Sequence, residues 1–309
     1  MAEISTQRVE AMRQELNDLS QLNAAMFRQI FSGDSTEKGL FAARYDKTNP
    51  EADSCSAERG WDLRIEGDFF LVKHAHDSIY IIVGDATGHH AYAGALKVFV
   101  AAALQNIFDS FAKKKRAPTG SKVLKELHAF FAKVGEAALI EDSNKPLHHG
   151  VDAIVIRIRP GAKAVTCASA GLPLFKVGPK GIVRVGDFND QDGINFPTSL
   201  EITVPFEPKD VPLDVRETRF LAVVTDGFHD LRRVVDGNPQ SFGETGIRTA
   251  LQGALARRKT GHSRGQSPAA VVASTLVAAA KAFRKGYMIP EEKDDDRLAV
   301  VVDLRAAWT

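Results

Sequence analysis

Four short acidic motifs carry the residue types in this chain that could do chemistry. They are spread over more than 200 residues and read Gly67-Asp68-Phe69, Gly84-Asp85-Ala86-Thr87-Gly88-His89, Thr225-Asp226-Gly227 and Asp294-Asp295-Asp296. Each motif lies at the start or the end of an apolar run that is typical of a buried strand. A carboxylate in such a place is costly unless a cation meets it, and a hard divalent metal is the cation that suits oxygen ligands. The pattern therefore predicts a metallohydrolase.

A pair of divalent metal ions is the centre that these motifs would suit. Two ions about 4 Å apart can activate a bridging water and clamp an in-line displacement at phosphorus. When the metal is Mg²⁺ or Mn²⁺, such a centre uses several carboxylates and few thiols or imidazoles. Glycine beside an aspartate lets the backbone approach the ion. Asp68, Asp85, Asp226 and Asp295 stand in that setting.

The composition is that of an ordinary soluble globular protein. The 309 residues are 44% hydrophobic and 26% charged, and the formal net charge of +1 favours neither nucleic acid nor an anionic membrane. Cys55 and Cys167 are too few for a disulfide framework or a zinc cluster, which fits a reducing compartment. The first residues lack the basic and apolar regions of a secretory signal, and no apolar stretch is long enough to span a bilayer. We therefore expect a cytoplasmic protein.

Hydrophobic patterning predicts strands and helices that come in separate runs. The predicted strands are 40–45, 61–65, 69–73, 79–83, 153–158, 165–170, 174–177, 182–185, 202–204, 220–224 and 298–304. The predicted helices are 92–113, 121–140, 245–259 and 268–285, and the last of them has Ser267 as its N-cap and Pro268 as its first residue. Runs of this kind favour an α+β fold, with packed sheets covered by helices, over a Rossmann-type sheet.

Residues 1–31 form a predicted helix whose role the sequence leaves open. Its apolar stripe is a heptad series over about three heptads, made by Val9, Met12, Leu16, Leu19, Asn23, Met26 and Ile30. The helix could lie on its own domain with Asn23 at the edge of the buried stripe. It could instead pair with a second copy or a regulatory partner, and Asn23 would then set the register. We divide the chain into this regulatory or dimerisation helix, a linker and loop at 32–59, and a main domain at 60–309.

In their order and spacing, the acidic motifs resemble those of the metal-dependent protein phosphatase (PPM) superfamily. The resemblance is closer to its bacterial branch, the stage II sporulation protein E-like serine phosphatases. That branch carries GGDFY-like, GDVTGHG-like, AGHPP-like, SDG and DD-x-T motifs in this order. The corresponding segments, within roughly residues 60–305, read Glu66-Gly67-Asp68-Phe69-Phe70, Gly84-Asp85-Ala86-Thr87-Gly88-His89-His90, Ala170-Gly171-Leu172-Pro173, Thr225-Asp226-Gly227 and Asp295-Asp296.

The resemblance implies a serine/threonine protein phosphatase with an αββα fold, in which helices flank two packed, mainly antiparallel sheets. Two ions, Mg²⁺ or Mn²⁺, would lie between the sheets and activate the attacking water, without a covalent phosphoenzyme. Asp68 and Asp85 would hold one metal and bridge to the other, and the Ala86 carbonyl would be a further ligand. Asp226 and Asp295 would complete the second metal. Within the acidic triplet, Asp295 is preferred because the following strand then falls where the family has its valine-rich strand.

The chain departs from the family motifs at four positions, Glu66, His90, Leu172 and Leu298. These replace the first Gly of GGD, the last Gly of GHG, the His of AGHPP and, approximately, the Thr after the acidic pair. None of them removes a predicted ligand, so we expect an active enzyme. The alternatives are a catalytically degenerate module that binds a phosphoprotein without hydrolysis, and a two-metal hydrolase of another phosphate ester.

The resemblance also implies a partner, a phosphorylated regulatory protein of the anti-anti-sigma type in a partner-switching signal-transduction circuit. A homodimer through the N-terminal helix is a further possibility, whereas no nucleic acid or membrane partner is expected. Three other polar groups remain near the motifs. We expect His89 to cap or orient a helix and the histidines at 148–149 to lie in a loop near the cleft. The arginines at 232–233 are expected on a surface helix, with contact to substrate phosphate as the alternative.

Overall fold

The computed structural model of the protein describes residues 40–46, 67–86, 91–139, 150–186, 193–195, 206–235, 238–259, 267–285 and 297–308. Strands and helices fill most of these residues. The strands are β1 (Phe41–Asp46), β2 (Asp68–Ala75), β3 (Ser78–Ala86), β4 (Gly150–Arg159), β5 (Ala164–Ala170), β6 (Leu174–Gly178), β7 (Gly181–Arg184), β8 (Ile194–Asn195), β9 (Val211–Leu213), β10 (Phe220–Val224), β11 (Arg232–Val235), β12 (Asn238–Ser241) and β13 (Arg297–Asp303). The helices are α1 (Ala91–Lys113), α2 (Gly120–Leu139), α3 (Asp226–His229), α4 (Gly243–Lys259) and α5 (Pro268–Arg284), and a 3₁₀ turn follows at Ala306–Trp308.

Two antiparallel sheets organise the chain. Sheet I has the strand order β1-β13-β10-β6-β7, and sheet II has the order β2-β3-β4-β5-β9, with the short β8 paired to β4. All pairings within both sheets are antiparallel. Strands β11 and β12 form a separate two-stranded hairpin. Because β1 and β13 pair directly, the two ends of the described chain lie side by side in sheet I.

Three apolar layers hold the sheets and helices together. Side chains alternate between the two faces of a strand, so on β4 Ile154 and Ile156 face sheet I while Ala153 and Val155 face the helices. The layer between the sheets is the central core. A second layer joins sheet II to α1 and α2, and a third joins sheet I to α4 and α5. The expected αββα sandwich of two mainly antiparallel sheets is confirmed.

Most predicted element boundaries fall within two residues of the observed ones. The N-terminus of α5 is as expected, because the Ser267 hydroxyl accepts a hydrogen bond from the Ala270 amide at 3.2 Å and Pro268 begins the helix. Three predictions lie outside the described residues, namely the helix at 1–31 and the strands at 61–65 and 202–204. Within the described part of the chain, no helix combines the length and apolarity that a membrane span requires.

The prediction of a surface helix at Arg232 and Arg233 is wrong, because these residues begin strand β11. The preceding helix α3 ends at His229, and Val234 and Val235 favour a strand. Arg233 anchors the hairpin, since its guanidinium donates to Gln240 Oε1 at 2.9 and 3.0 Å and lies 4.1 Å from the centre of the Phe283 ring. The Asp-Gly pair at 236–237 is a two-residue turn signal that the helical interpretation overlooked.

Val300 tests the packing between the two sheets. It lies fully buried on β13, whereas Val183 on β7 is 51% exposed. We expect Val300→Ala to lower the free energy of unfolding by about 2 kcal/mol, because the methyl groups it removes leave a void in the central core. The same change at Val183 should cost less than about 1 kcal/mol. Urea unfolding of both variants measures the difference, and equal losses would contradict the layered arrangement.

Candidate metal centre

Three aspartates form a row across sheet II. Asp68 on β2 is the cross-strand partner of Asp85 on β3, which in turn is the partner of Asp152 on β4. Directly opposed residues point to the same face of a sheet. That face is the one toward sheet I, because Phe70 and Val83, each two residues along the strand from its aspartate, belong to the core between the sheets. These acidic side chains therefore lie where the apolar core between the sheets ends.

Gly67 and Ala86 meet where β2 begins and β3 ends. The Ala86 amide donates a hydrogen bond to the Gly67 carbonyl at 3.1 Å. A Cβ at position 67 would lie 2.2 Å from the Ala86 carbonyl oxygen and 3.0 Å from Asp85 Oδ1. Only glycine leaves that carbonyl and that carboxylate so close to the chain. The first motif thus needs its glycine to make room for two predicted ligands of the second motif.

Asp226 comes from the opposite sheet. It follows β10 and begins α3, and among the described residues none donates a hydrogen bond to its buried Oδ1. A buried oxygen without a donor is costly in a folded protein. A cation is the partner that such an oxygen suits. The predicted ligands are carboxylate and carbonyl oxygens, as Mg²⁺ and Mn²⁺ require. The oxygen ligands that these residues offer therefore suit a hard divalent metal ion.

Thr225 joins the two sheets at this place. Its hydroxyl donates a hydrogen bond to Asp68 Oδ2 at 2.9 Å across 157 positions of sequence, and both residues are buried. The same hydroxyl oxygen accepts a hydrogen bond from the Leu298 amide at 2.9 Å. Leu298 lies two residues after the acidic triplet. One side chain therefore connects the first motif, the third motif and the strand that follows the fourth motif.

Asp152 is an acidic residue of this row that the sequence reasoning missed. Two glycines pack on its carboxylate, since a Cβ on Gly171 would fall 2.3 to 2.6 Å from it and one on Gly193 would fall 1.8 Å from Oδ1. Gly171 has a φ of +89°, a conformation that glycine adopts readily. The signal available in the sequence was weak, because a single aspartate near the start of a strand carries no motif.

A buried lysine lies beside the row. Lys97 on α1 is only 3% exposed, and its Nζ donates a hydrogen bond to the Asp68 backbone oxygen at 3.2 Å. This hydrogen bond gives the buried ammonium group a polar partner where β2 begins. No sequence pattern singles out this lysine, because its contact with Asp68 depends on the packing of α1 against sheet II.

Several predicted residues of the site and its surroundings lie outside the described residues. They are Asp295, His89, His90 and the histidines at 148–149. Within the described ranges, no three His, Cys, Asp or Glu side chains converge closely enough to bind a metal by themselves. Leu172 is buried in the core between the sheets, and Ser169 Oγ donates to its carbonyl at 2.6 Å.

A family of known proteins matches most of this chain. The family model described as Stage II sporulation protein E (SpoIIE) matches residues 75–305, well over half of the chain. The chain belongs to the SpoIIE family. Members of this family are PP2C-type serine phosphatases that depend on metal ions. The matched range contains Asp85, Asp226 and Asp295, and Asp68 lies just before it. Among curated protein sequences there is no significant match.

Solved structures share the fold of this SpoIIE-family chain. The SiaA-PP2C domain of Pseudomonas aeruginosa has 15% identity and a TM-score of 0.63, over 96% of this chain and 98% of that one. The RsbU and RsbW domains of Rv1364c from Mycobacterium tuberculosis have 17% identity and a TM-score of 0.53, over 85% of this chain and 59% of that one. A bacterial serine phosphatase has 12% identity and a TM-score of 0.51, over 88% of this chain and 100% of that one. At these identities the similarity establishes the fold alone.

Gly67 offers a test of the contact between the first two motifs. Gly67→Ala should lower the free energy of unfolding by about 1 to 3 kcal/mol, because the new methyl group collides with the Ala86 carbonyl. Gly161→Ala is the matched control, since a Cβ there meets no described atom within 4 Å. Thermal unfolding of both variants without added metal measures the effect. A Gly67 variant as stable as the Gly161 variant would contradict the close approach.

Proposed function

We propose that this protein hydrolyses phosphoserine or phosphothreonine on a regulatory protein, with two Mg²⁺ or Mn²⁺ ions held by five residues. The ligands in this proposal are Asp68, Asp85, the Ala86 carbonyl, Asp226 and Asp295. The observation that supports it best is the hydrogen bond between Thr225 and Asp68. It brings the Thr-Asp-Gly motif of sheet I against the carboxylate row of sheet II. Membership of a metal-dependent phosphatase family agrees with this reading.

The chemistry divides between the ions and the side chains. Bound divalent ions would lower the pKa of a water molecule and neutralise charge on the phosphoryl oxygens. Asp68 and Asp85 would bind from sheet II, where their register on neighbouring strands sets their spacing. Asp226 and Asp295 would bind from sheet I, at the end of β10 and just before β13. Ligands on two rigid sheets keep the geometry of such a centre constant during the reaction.

The substrate class is part of the proposal. The domain at 60–309 would act on a phosphorylated protein of the anti-anti-sigma type, within a partner-switching circuit. The Mycobacterium tuberculosis neighbour, which contains an RsbU domain together with an RsbW domain, supports this choice of partner. In this proposal, the phosphorylated side chain of a folded partner would bind at the acidic row where the strands of sheet II end.

Asparagine variants of two proposed ligands test the activity. Asp85→Asn and Asp226→Asn keep the side-chain volume but remove the charge, so kcat on a phosphoserine peptide at saturating Mn²⁺ should fall at least about 100-fold. The matched control is Asp214→Asn. Asp214 is exposed, binds Arg216, and follows β9 at the other end of sheet II, so its variant should retain wild-type turnover.

Each result of this assay has a defined meaning. If the wild type is no faster than both ligand variants, the enzyme proposal fails. Phosphopeptide binding without hydrolysis would instead favour a degenerate binding module. Faster hydrolysis of a nucleotide or another phosphate ester than of the phosphopeptide would favour the third alternative, a hydrolase of small phosphate esters.

The segment at 1–31 provides a separate test of regulation. We propose that its heptad series mediates dimerisation or receives an input that organises the metal centre. Removing residues 1–31 should then change the oligomeric state, the turnover number, or both. Analytical ultracentrifugation and the phosphopeptide assay measure the two properties on the same samples. A shortened chain with unchanged mass in solution and unchanged turnover would rule the proposal out.

A further inference from the structure

We propose that Thr225 is a positioning residue of the metal centre, whose hydroxyl orients the carboxylate of Asp68 toward the bound cation. This inference rests on the proposed function above. It concerns a side chain that is not itself a predicted ligand. Thr225 is completely buried, and its hydroxyl has one described partner on each side, Asp68 Oδ2 and the Leu298 amide.

The direction of this hydrogen-bond chain follows from elementary chemistry. An amide can only donate, so the Leu298 N–H occupies a lone pair of the Thr225 oxygen. The single hydroxyl proton is then available for the carboxylate of Asp68, which as an ionised group can only accept. Both donor–acceptor distances are 2.9 Å. The hydroxyl therefore holds one oxygen of Asp68 in place, and this restricts the direction in which the other oxygen can point.

The backbone of Thr225 explains why its side chain is available for this role. Its amide donates to the Leu298 carbonyl at 3.1 Å, which continues the pairing of β10 with β13 by one residue. Its carbonyl, however, accepts from the Phe228 amide at 3.2 Å in the first turn of α3. In regular strand pairing, the Leu298 amide would donate to the Thr225 carbonyl. Because that carbonyl points to the helix instead, the Leu298 amide donates to the Thr225 hydroxyl.

The missing capping hydrogen bond of α3 also agrees with this role of the Thr225 hydroxyl. Thr225 is the N-cap residue of α3, a position where a threonine hydroxyl commonly accepts from the helix backbone. Here the side chain makes no such capping hydrogen bond. The hydroxyl is committed to Asp68 and Leu298 instead. The Thr225 side chain therefore stabilises the Asp68 carboxylate and the start of β13, and it does not cap the helix.

The orientation of a ligand affects metal binding strongly. Side chains that hydrogen-bond to a metal ligand typically contribute about 10- to 100-fold to metal affinity. Thr225→Val keeps the shape but removes the hydroxyl, so Asp68 loses its donor and the Leu298 amide loses its acceptor. Thr225→Ser keeps the hydroxyl. The two variants therefore separate the hydrogen bonds from the packing of the side chain.

Isothermal titration calorimetry of the full-length, metal-free protein with Mn²⁺ tests the inference. We expect Thr225→Val to raise the Kd about 10- to 100-fold and Thr225→Ser to stay close to the wild type. Phosphopeptide hydrolysis by the valine variant should be lost at limiting Mn²⁺ and largely recovered as Mn²⁺ is raised. If the valine variant does not fold, Thr225→Cys replaces it, because a thiol of similar volume donates only a weak hydrogen bond.

The matched control is Thr218→Val at the opposite end of β10. Thr218 is also buried, and its hydroxyl donates to the Asp214 backbone oxygen at 2.8 Å, away from the acidic row. This variant should lose stability but keep the wild-type Kd for Mn²⁺. The inference is overturned if Thr225→Val binds Mn²⁺ as the wild type does, or if Thr218→Val weakens binding equally.

The calorimetric readout separates this inference from the proposed function. A wild type that binds Mn²⁺ without hydrolysing the phosphopeptide would refute the enzyme proposal, while the Kd values of the Thr225 variants would still decide the positioning role. A wild type that hydrolyses the phosphopeptide, together with a valine variant of unchanged Kd, would refute only the positioning role. A wild type that binds no Mn²⁺ would refute both.

Discussion

A carboxylate placed at the end of an apolar interface is the constraint that shapes this protein. Asp68 is 2% exposed, yet it occupies the face of sheet II that packs against sheet I. Such a group must have polar partners or the fold loses several kcal/mol. Thr225 of sheet I donates a hydrogen bond to the Asp68 carboxylate, and Lys97 of α1 donates one to the Asp68 backbone carbonyl. A hydrogen bond thus joins the two sheets at the end where the acidic row lies.

Antiparallel register does much of the positioning. Asp68, Asp85 and Asp152 are far apart in sequence but are opposed partners on adjacent strands, so the sheet itself aligns their side chains on one face. The site lies where the strands end because there the backbone departs from regular pairing. Gly67 approaches the Ala86 carbonyl, and the carbonyl of Thr225 turns from the sheet to helix α3. The strands set the direction of the side chains, and the strand ends supply polar groups that lie outside the regular pairing.

Most of the fold was predictable because burial leaves a periodic trace in the sequence. The longer strands of both sheets and the four long helices have that trace, and their boundaries agree closely with the structure. Two short strands of sheet II, β8 and β9, lie in a segment that was predicted to be mostly loop. The β11–β12 hairpin, which covers little core, was also missed. Its stability comes from Arg233, which binds Gln240 and lies over Phe283 of α5. A contact with a helix some fifty residues away leaves no local pattern, so the sequence reasoning favoured the wrong element there.

The sequence by itself determined the family, because motif order and spacing are properties of the chain, and it predicted metal-dependent chemistry from the types of the proposed ligands. It named Asp68, Asp85 and Asp226 as acidic groups at strand ends, and the structure places Asp68 and Asp85 opposite one another on sheet II and Asp226 just after β10. Only the tertiary structure decided how these groups are held. Asp152 belongs to the row through its register with Asp85, and Thr225 reaches Asp68 through the packing of one sheet on the other. Register and sheet packing depend on contacts between distant segments, which no local pattern of residues encodes.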